Sequence, residues 1–97
     1  MSRGEIKVVR DDADEIDTTL RALLVDVLGL APKRIAAFDA QTELFGALPE
    51  FDSMAVATLL TGLEERLAIV IEDDDVDAED FATFGTLLAF ARRKALV

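Results

Sequence analysis

Between residues 16 and 28 the apolar side chains fall at Ile16, Leu20, Leu23, Leu24, Val27 and Leu28, at spacings of +4, +7, +8, +11 and +12. That recurrence lines one face of an α-helix and cannot line one face of a strand, whose period is about two residues. The same period returns twice. Val56, Leu59, Leu60, Leu63 and Leu67 stripe a helix expected from about Ser53 to Leu67, and Leu87, Leu88 and Ala91 follow Phe84 at +3, +4 and +7 on a helix expected to end near Ala95. A short helix from Asp77 to Phe81, capped by Asp77, fits between them. Ile69-Val70-Ile71 has nothing to pair with and predicts an extended loop. The fold class is therefore all-α: a small four-helix bundle, three main helices plus one short one, with a long loop between the first and second.

Local signals set the boundaries. Asp11, Asp12, Asp14, Glu15 and Asp17 crowd the expected start of the first helix at Asp12, where acids complement the helix dipole. Gly29 and Pro32 stop it. Residues 1–11 are expected to form an N-terminal tail and residues 12–97 a single domain. Residues 30–52 carry Pro32, Gly46 and Pro49, but also Ile35, Phe38, Leu44, Phe45, Leu48 and Phe51. A connection this long in so small a domain is expected to pack down on its own side chains. Gly62 stands mid-helix, where glycine costs about 1 kcal/mol relative to alanine, so close helix packing is its expected reason. Thr83 is placed to cap the last helix. Arg92, Arg93 and Lys94 close it, where cations complement the negative end of its dipole.

Composition narrows function. The 97 residues hold 20 acids against 10 bases, a net charge of −10. This argues against nucleic acid, against anionic membrane surfaces and for basic protein partners. Cysteine and histidine are absent, which removes disulfides, thiol catalysis and the commonest general base and zinc ligand. The longest apolar runs, such as Leu67 to Ile71, are far too short to cross a membrane, and residues 1–12 lack the apolar core of a signal peptide. A soluble, cytoplasmic protein is expected.

Ser53 is the residue that calls for an explanation. The only other serine is Ser2, and Ser53 opens the second main helix between Asp52 and Met54. A helix-capping residue and a site of covalent attachment both belong at that position. A self-sufficient serine nucleophile is excluded: there is no histidine to act as its base, and Phe51-Asp52-Ser53-Met54-Ala55 lacks the glycines of the nucleophile elbow. The acids Asp73, Asp75 and Asp77 have the alternate spacing of a calcium loop. Ala78 and Phe84 then occupy the positions where such a loop needs glycine and glutamate. The acidic run reads as a solvated face. No metal site and no catalytic residue is assigned.

Asp52-Ser53-Met54, the helix that follows it with its Leu63-Glu64-Glu65, the descent Ile69 to Asp75, and Phe84 to Leu87 together resemble the acyl carrier proteins, a family of phosphopantetheine-binding carriers. The resemblance covers about residues 14 to 95. It implies that Ser53 carries a covalent 4′-phosphopantetheine arm and that an acyl or aminoacyl group rides on that arm as a thioester. It implies that the carrier is not itself an enzyme. A phosphopantetheinyl transferase using magnesium would attach the arm, and downstream acyl-transfer or synthase enzymes would receive the cargo. Asp52, Met54, Ala55, Ala57, Thr58, Glu64 and Glu65 form the implied partner surface. Ala55 and Thr58 stand where fatty-acid carriers place acids. Met54 follows the serine as in D-alanyl carriers and in stand-alone carriers served by adenylate-forming ligases. The expectation is a specialised monomeric carrier, loaded by an adenylate-forming acyl or aminoacyl ligase. An unmodified acidic adaptor and a calcium-binding protein are the alternatives.

Overall fold

The computed structural model describes residues 3–95, with side chains from residue 15 onward. Four α-helices follow in order: α1 (Arg3–Leu28), α2 (Pro32–Ala36), α3 (Ser53–Leu67) and α4 (Phe84–Ala95). Two 3₁₀ turns, Asp73–Asp75 and Ala78–Phe81, lie between α3 and α4. Among the described residues there is no strand, only an isolated antiparallel bridge between Glu43 and Thr83. The helical bundle is as the periodicity requires.

The stripes meet in one core. Ile16, Leu20, Leu23, Leu24 and Leu28 of α1, Leu59 and Leu63 of α3, and Phe84, Leu87, Leu88, Phe90 and Ala91 of α4 are all buried. Gly62 lets α3 lie close to α1, because a Cβ there would stand 2.5 Å from Leu23 Cδ1. Thr83 caps α4 by accepting the Thr86 N–H at 3.1 Å.

Two elements differ from expectation. Helix α1 begins at Arg3 rather than Asp12, since no proline or glycine interrupts residues 5–28 and nothing in that stretch stops the backbone hydrogen bonding. The turn expected at Asp77–Phe81 is present, but as 3₁₀ structure, and a second one precedes it. In each, an acid three residues on accepts the N–H at the start: Asp75 from Glu72 and Asp80 from Asp77, both at 2.8 Å. Such self-contained turns are too short to propagate as α-helix.

The long first connection is packed down. Pro32 opens α2, and Leu30, Ile35, Phe38, Leu44 and Phe51 are buried. Arg21 fastens α2 by donating to Ile35 O at 2.8 Å, with its guanidinium 4.4 Å from the centroid of the Phe84 ring. The connection then runs antiparallel to the start of α4. Leu44 N–H donates to Ala82 O, Phe45 N–H to Phe81 O and Phe84 N–H to Thr42 O, at 2.8–3.0 Å. This pairing brings Phe45 and Phe81 together beside the start of α3.

Candidate functional site: the start of helix α3

The first turn of α3 separates two tasks that the sequence left on neighbouring residues. Asp52 has an extended backbone and is the N-cap, with its Oδ1 accepting the Ala55 N–H at 2.9 Å. Ser53 is the first helical residue. Its side chain is exposed and makes no hydrogen bond among the described residues. The hydroxyl is therefore not spent on capping. It stands at the positive end of α3, where the first-turn N–H groups lack intrahelical acceptors and favour an anionic group.

Beside Ser53 opens an apolar cleft of about 200 Å³, lined by Phe45, Ser53, Val56, Ala78 and Phe81. Phe51 lies beneath, its ring centroid 6.2 Å from that of Phe45 and 6.1 Å from that of Phe81. The cleft was not legible in the sequence. Its walls come from three separate segments, and only the adjacency of Leu44 and Phe45 hinted that one of the pair faces outward.

The residues expected to meet partners fall into four groups. Asp52, Ser53 and Met54 are exposed together at the helix start, and Met54 is 76% exposed. Ala57, Thr58 and Glu65 line a separate groove between α3 and α1 of about 520 Å³, closed at one side by an Arg66–Asp26 ion pair at 2.6 Å. Ala55 is buried at 8% exposure and cannot present a surface, because it shares the inward face with Leu59 and Leu63. Glu64 is half-buried and accepts the Ile71 N–H at 2.8 Å, holding the chain as it leaves α3. The basic end of α4, read as complementing the helix dipole, also pairs across the molecule. Lys94 Nζ lies 2.8 Å from Asp75 Oδ2, and Arg93 Nη2 lies 3.8 Å from Asp80 Oδ1. The Lys94 hydrogen bond, and after it the Glu72 N–H, hold the Asp75 carboxyl below its ordinary value.

This arrangement has known counterparts. The family model for the phosphopantetheine attachment site matches residues 18–93. A holo acyl carrier protein from Nitrosomonas europaea, solved by solution NMR, is 37% identical over 80% of this chain and 92% of its own, with a TM-score of 0.70. No curated protein matches the chain. The chain belongs to the phosphopantetheine-attachment family. Its function is that of an acyl carrier with a phosphopantetheine prosthetic group, and it works with the transferases and synthases that such carriers serve. The adaptor and calcium-binding alternatives gain no support from either match. Among the described residues no helix is long and apolar enough to cross a membrane.

Proposed function

We propose that Ser53 is the attachment point of the phosphopantetheine arm. The observation that carries this reading is the division of labour between Asp52 and Ser53. The aspartate caps the helix, so the serine hydroxyl stays exposed and unengaged. The residues suit the group. A phosphodiester on Ser53 Oγ gains from the positive end of α3, where the Asp52 carboxylate takes the Ala55 N–H and leaves the Ser53 and Met54 N–H groups without intrahelical acceptors. The arm supplies the thiol that a chain without cysteine cannot. The chain holds and presents the cargo, and partner enzymes perform the chemistry. In this reading residues 12–97 are the carrier domain, monomeric and cytoplasmic, and residues 1–11 prefix it.

The cargo is an acyl or aminoacyl group set on the arm by an adenylate-forming ligase, and Asp52, Met54, Ala57, Thr58 and Glu65 meet the partners. Met54 and Phe45 are exposed large apolar residues flanking Ser53, at 76% and 46%. Apolar groups of that size next to a reactive residue are natural anchors for a partner.

The test is transfer itself. Incubated with coenzyme A, magnesium and a broad-specificity phosphopantetheinyl transferase, the protein should gain the mass of one phosphopantetheine, and Ser53→Ala should gain none. Modification of the alanine variant would place the arm elsewhere.

A further inference from the structure

The groove between α3 and α1 differs in character from the cleft beside Ser53. The cleft is apolar and holds about 200 Å³. The groove holds about 520 Å³, with Thr58 and Thr61 on its α3 side and the apolar Leu23 and Val27 on its α1 side. A surface row joins this groove to Ser53. Ser53, Ala57, Thr61 and Glu65 follow one another at four-residue intervals, and all are exposed. Such a row runs obliquely along a helix. Here it leads from Ser53 at the edge of the cleft into the groove, which Ala57, Thr61 and Glu65 all line. No large apolar side chain stands on it. The Thr58 hydroxyl donates to Met54 O at 3.0 Å and the Thr61 hydroxyl to Ala57 O at 3.1 Å. Both protons are thereby committed, and both oxygens keep a lone pair that can accept from outside the helix.

We propose that the α1–α3 groove is the resting site of the phosphopantetheine arm when its thiol is free, the arm following the row from Ser53 and giving its two amide N–H groups to the hydroxyls of Thr58 and Thr61. The inference rests on the reading of Ser53 as the attachment point. The spacings agree. The arm's two amide nitrogens are separated by one β-alanyl unit, about 5 Å at ordinary bond lengths. Helix residues three apart carry their Cβ atoms about 5–6 Å from each other. From Ser53 to Glu65 the helix advances about 18 Å, within reach of the extended arm. The chemistry agrees as well. The arm alternates amides with methylene and methyl groups, and the groove sets two hydroxyl acceptors opposite Leu23 and Val27. In the apolar cleft the same amides would be left unpaired, at a cost in free energy. The two depressions thus divide by polarity, and the groove takes the polar body of the arm.

NMR on the full chain, before and after modification from coenzyme A, tests the groove. Attachment alone moves the signals of residues next to Ser53. Occupation of the groove should also move the amides of Thr61, Gly62 and Asp26, and should give nuclear Overhauser contacts from the arm to the methyl groups of Leu23 and Val27. Thr61→Leu places a bulky group on the row at an exposed position, and it should abolish the α1 contacts. Thr61→Val keeps the shape and removes the acceptor, and it should weaken them. The free thiol should react with iodoacetamide about two- to tenfold more slowly in the wild type than in Thr61→Leu, the range that one net hydrogen bond gives. Intact mass first shows one arm per chain, and the amide spectrum shows each variant folded. An arm on Ser53 with no contact to α1 overturns the groove and leaves the attachment reading standing. So does a thiol that reacts at the same rate in the wild type and in Thr61→Leu. An arm mapped to another residue overturns the attachment reading, and the groove with it.

Discussion

At the scale of single residues, the start of α3 turns on which of two adjacent polar side chains faces back into the helix. Serine and aspartate are comparable caps, so the sequence could place the cap at 52 or 53 without deciding between them. The backbone decides: Asp52 is extended, at φ −101° and ψ −173°, and Ser53 is already helical. It follows that Asp52→Ala should cost about 1 kcal/mol of stability, the usual loss on removing a cap, while Ser53→Ala should cost markedly less. Urea unfolding of the two variants measures this, and a larger loss at Ser53 would return the serine to a structural role. Met54 shows the same dependence on helix phase. Periodicity alone allowed it to turn inward, but it is 76% exposed. Its neighbour Ala55 goes the other way, into the core, and so leaves the partner surface that the family resemblance implied. Met54→Ala should therefore slow loading by the cognate ligase more than Glu64→Gln, both variants first being shown to be folded. Glutamine can still accept the Ile71 N–H, so the second change tests charge rather than structure. A greater loss from Glu64→Gln would mean that this carrier is read by charge.

At the scale of elements, strongly periodic segments were legible and irregular ones were not. The limits of α3 and α4 follow from stripe, cap and breaker, and they coincide with the structure at Ser53–Leu67 and Phe84–Ala95. The acidic descent showed the second of its two 3₁₀ turns, as a short helix, but not the first, because the order of that one comes from the Asp75 carboxylate reaching back three residues, a contact with no hydrophobic signature. Gly85 is a further position whose reason lies in tertiary structure. A Cβ there would stand 2.7 Å from Ala40 O and 3.0 Å from Ala40 Cα, where the first connection crosses α4. Backbone cannot yield as a flexible side chain can, so Gly85→Ala should destabilise by about 1–3 kcal/mol, the usual cost of overpacking. Gly62→Ala should cost less. Its added Cβ meets the end of the Leu23 side chain, and alanine regains about 1 kcal/mol of helix propensity. The shift in thermal midpoint ranks the two. A Gly62→Ala variant less stable than Gly85→Ala would show that the α1–α3 contact is the more rigid of the two.

At the scale of the whole molecule, a chain of net charge −10 with a single apolar core arranges its surface around one helix end. Seven of the 20 acids lie on the descent from α3 to α4, and Phe45 and Met54, two of the three large apolar residues exposed among the described residues, flank Ser53, the third being Val70. In the proposed reading, charge would draw a basic partner in from a distance, and apolar contact would fix it beside Ser53. The cleft beside Ser53 was invisible in the sequence because Phe45, Val56, Ala78 and Phe81 meet only through the pairing of residues 42–45 with 81–84. The class of protein was legible because Asp52-Ser53-Met54 sits where a helix start, an acidic balance and the absence of cysteine and histidine all agree with a carried rather than a resident chemistry. The most direct measurement is the mass of the protein purified from its native host, intact and after proteolysis. The intact chain should carry one phosphopantetheine, free or acylated, and the peptide containing Asp52-Ser53-Met54 should hold all of it. A chain found wholly unmodified, or an arm mapped to any other residue, would contradict the assignment of Ser53 as the attachment site.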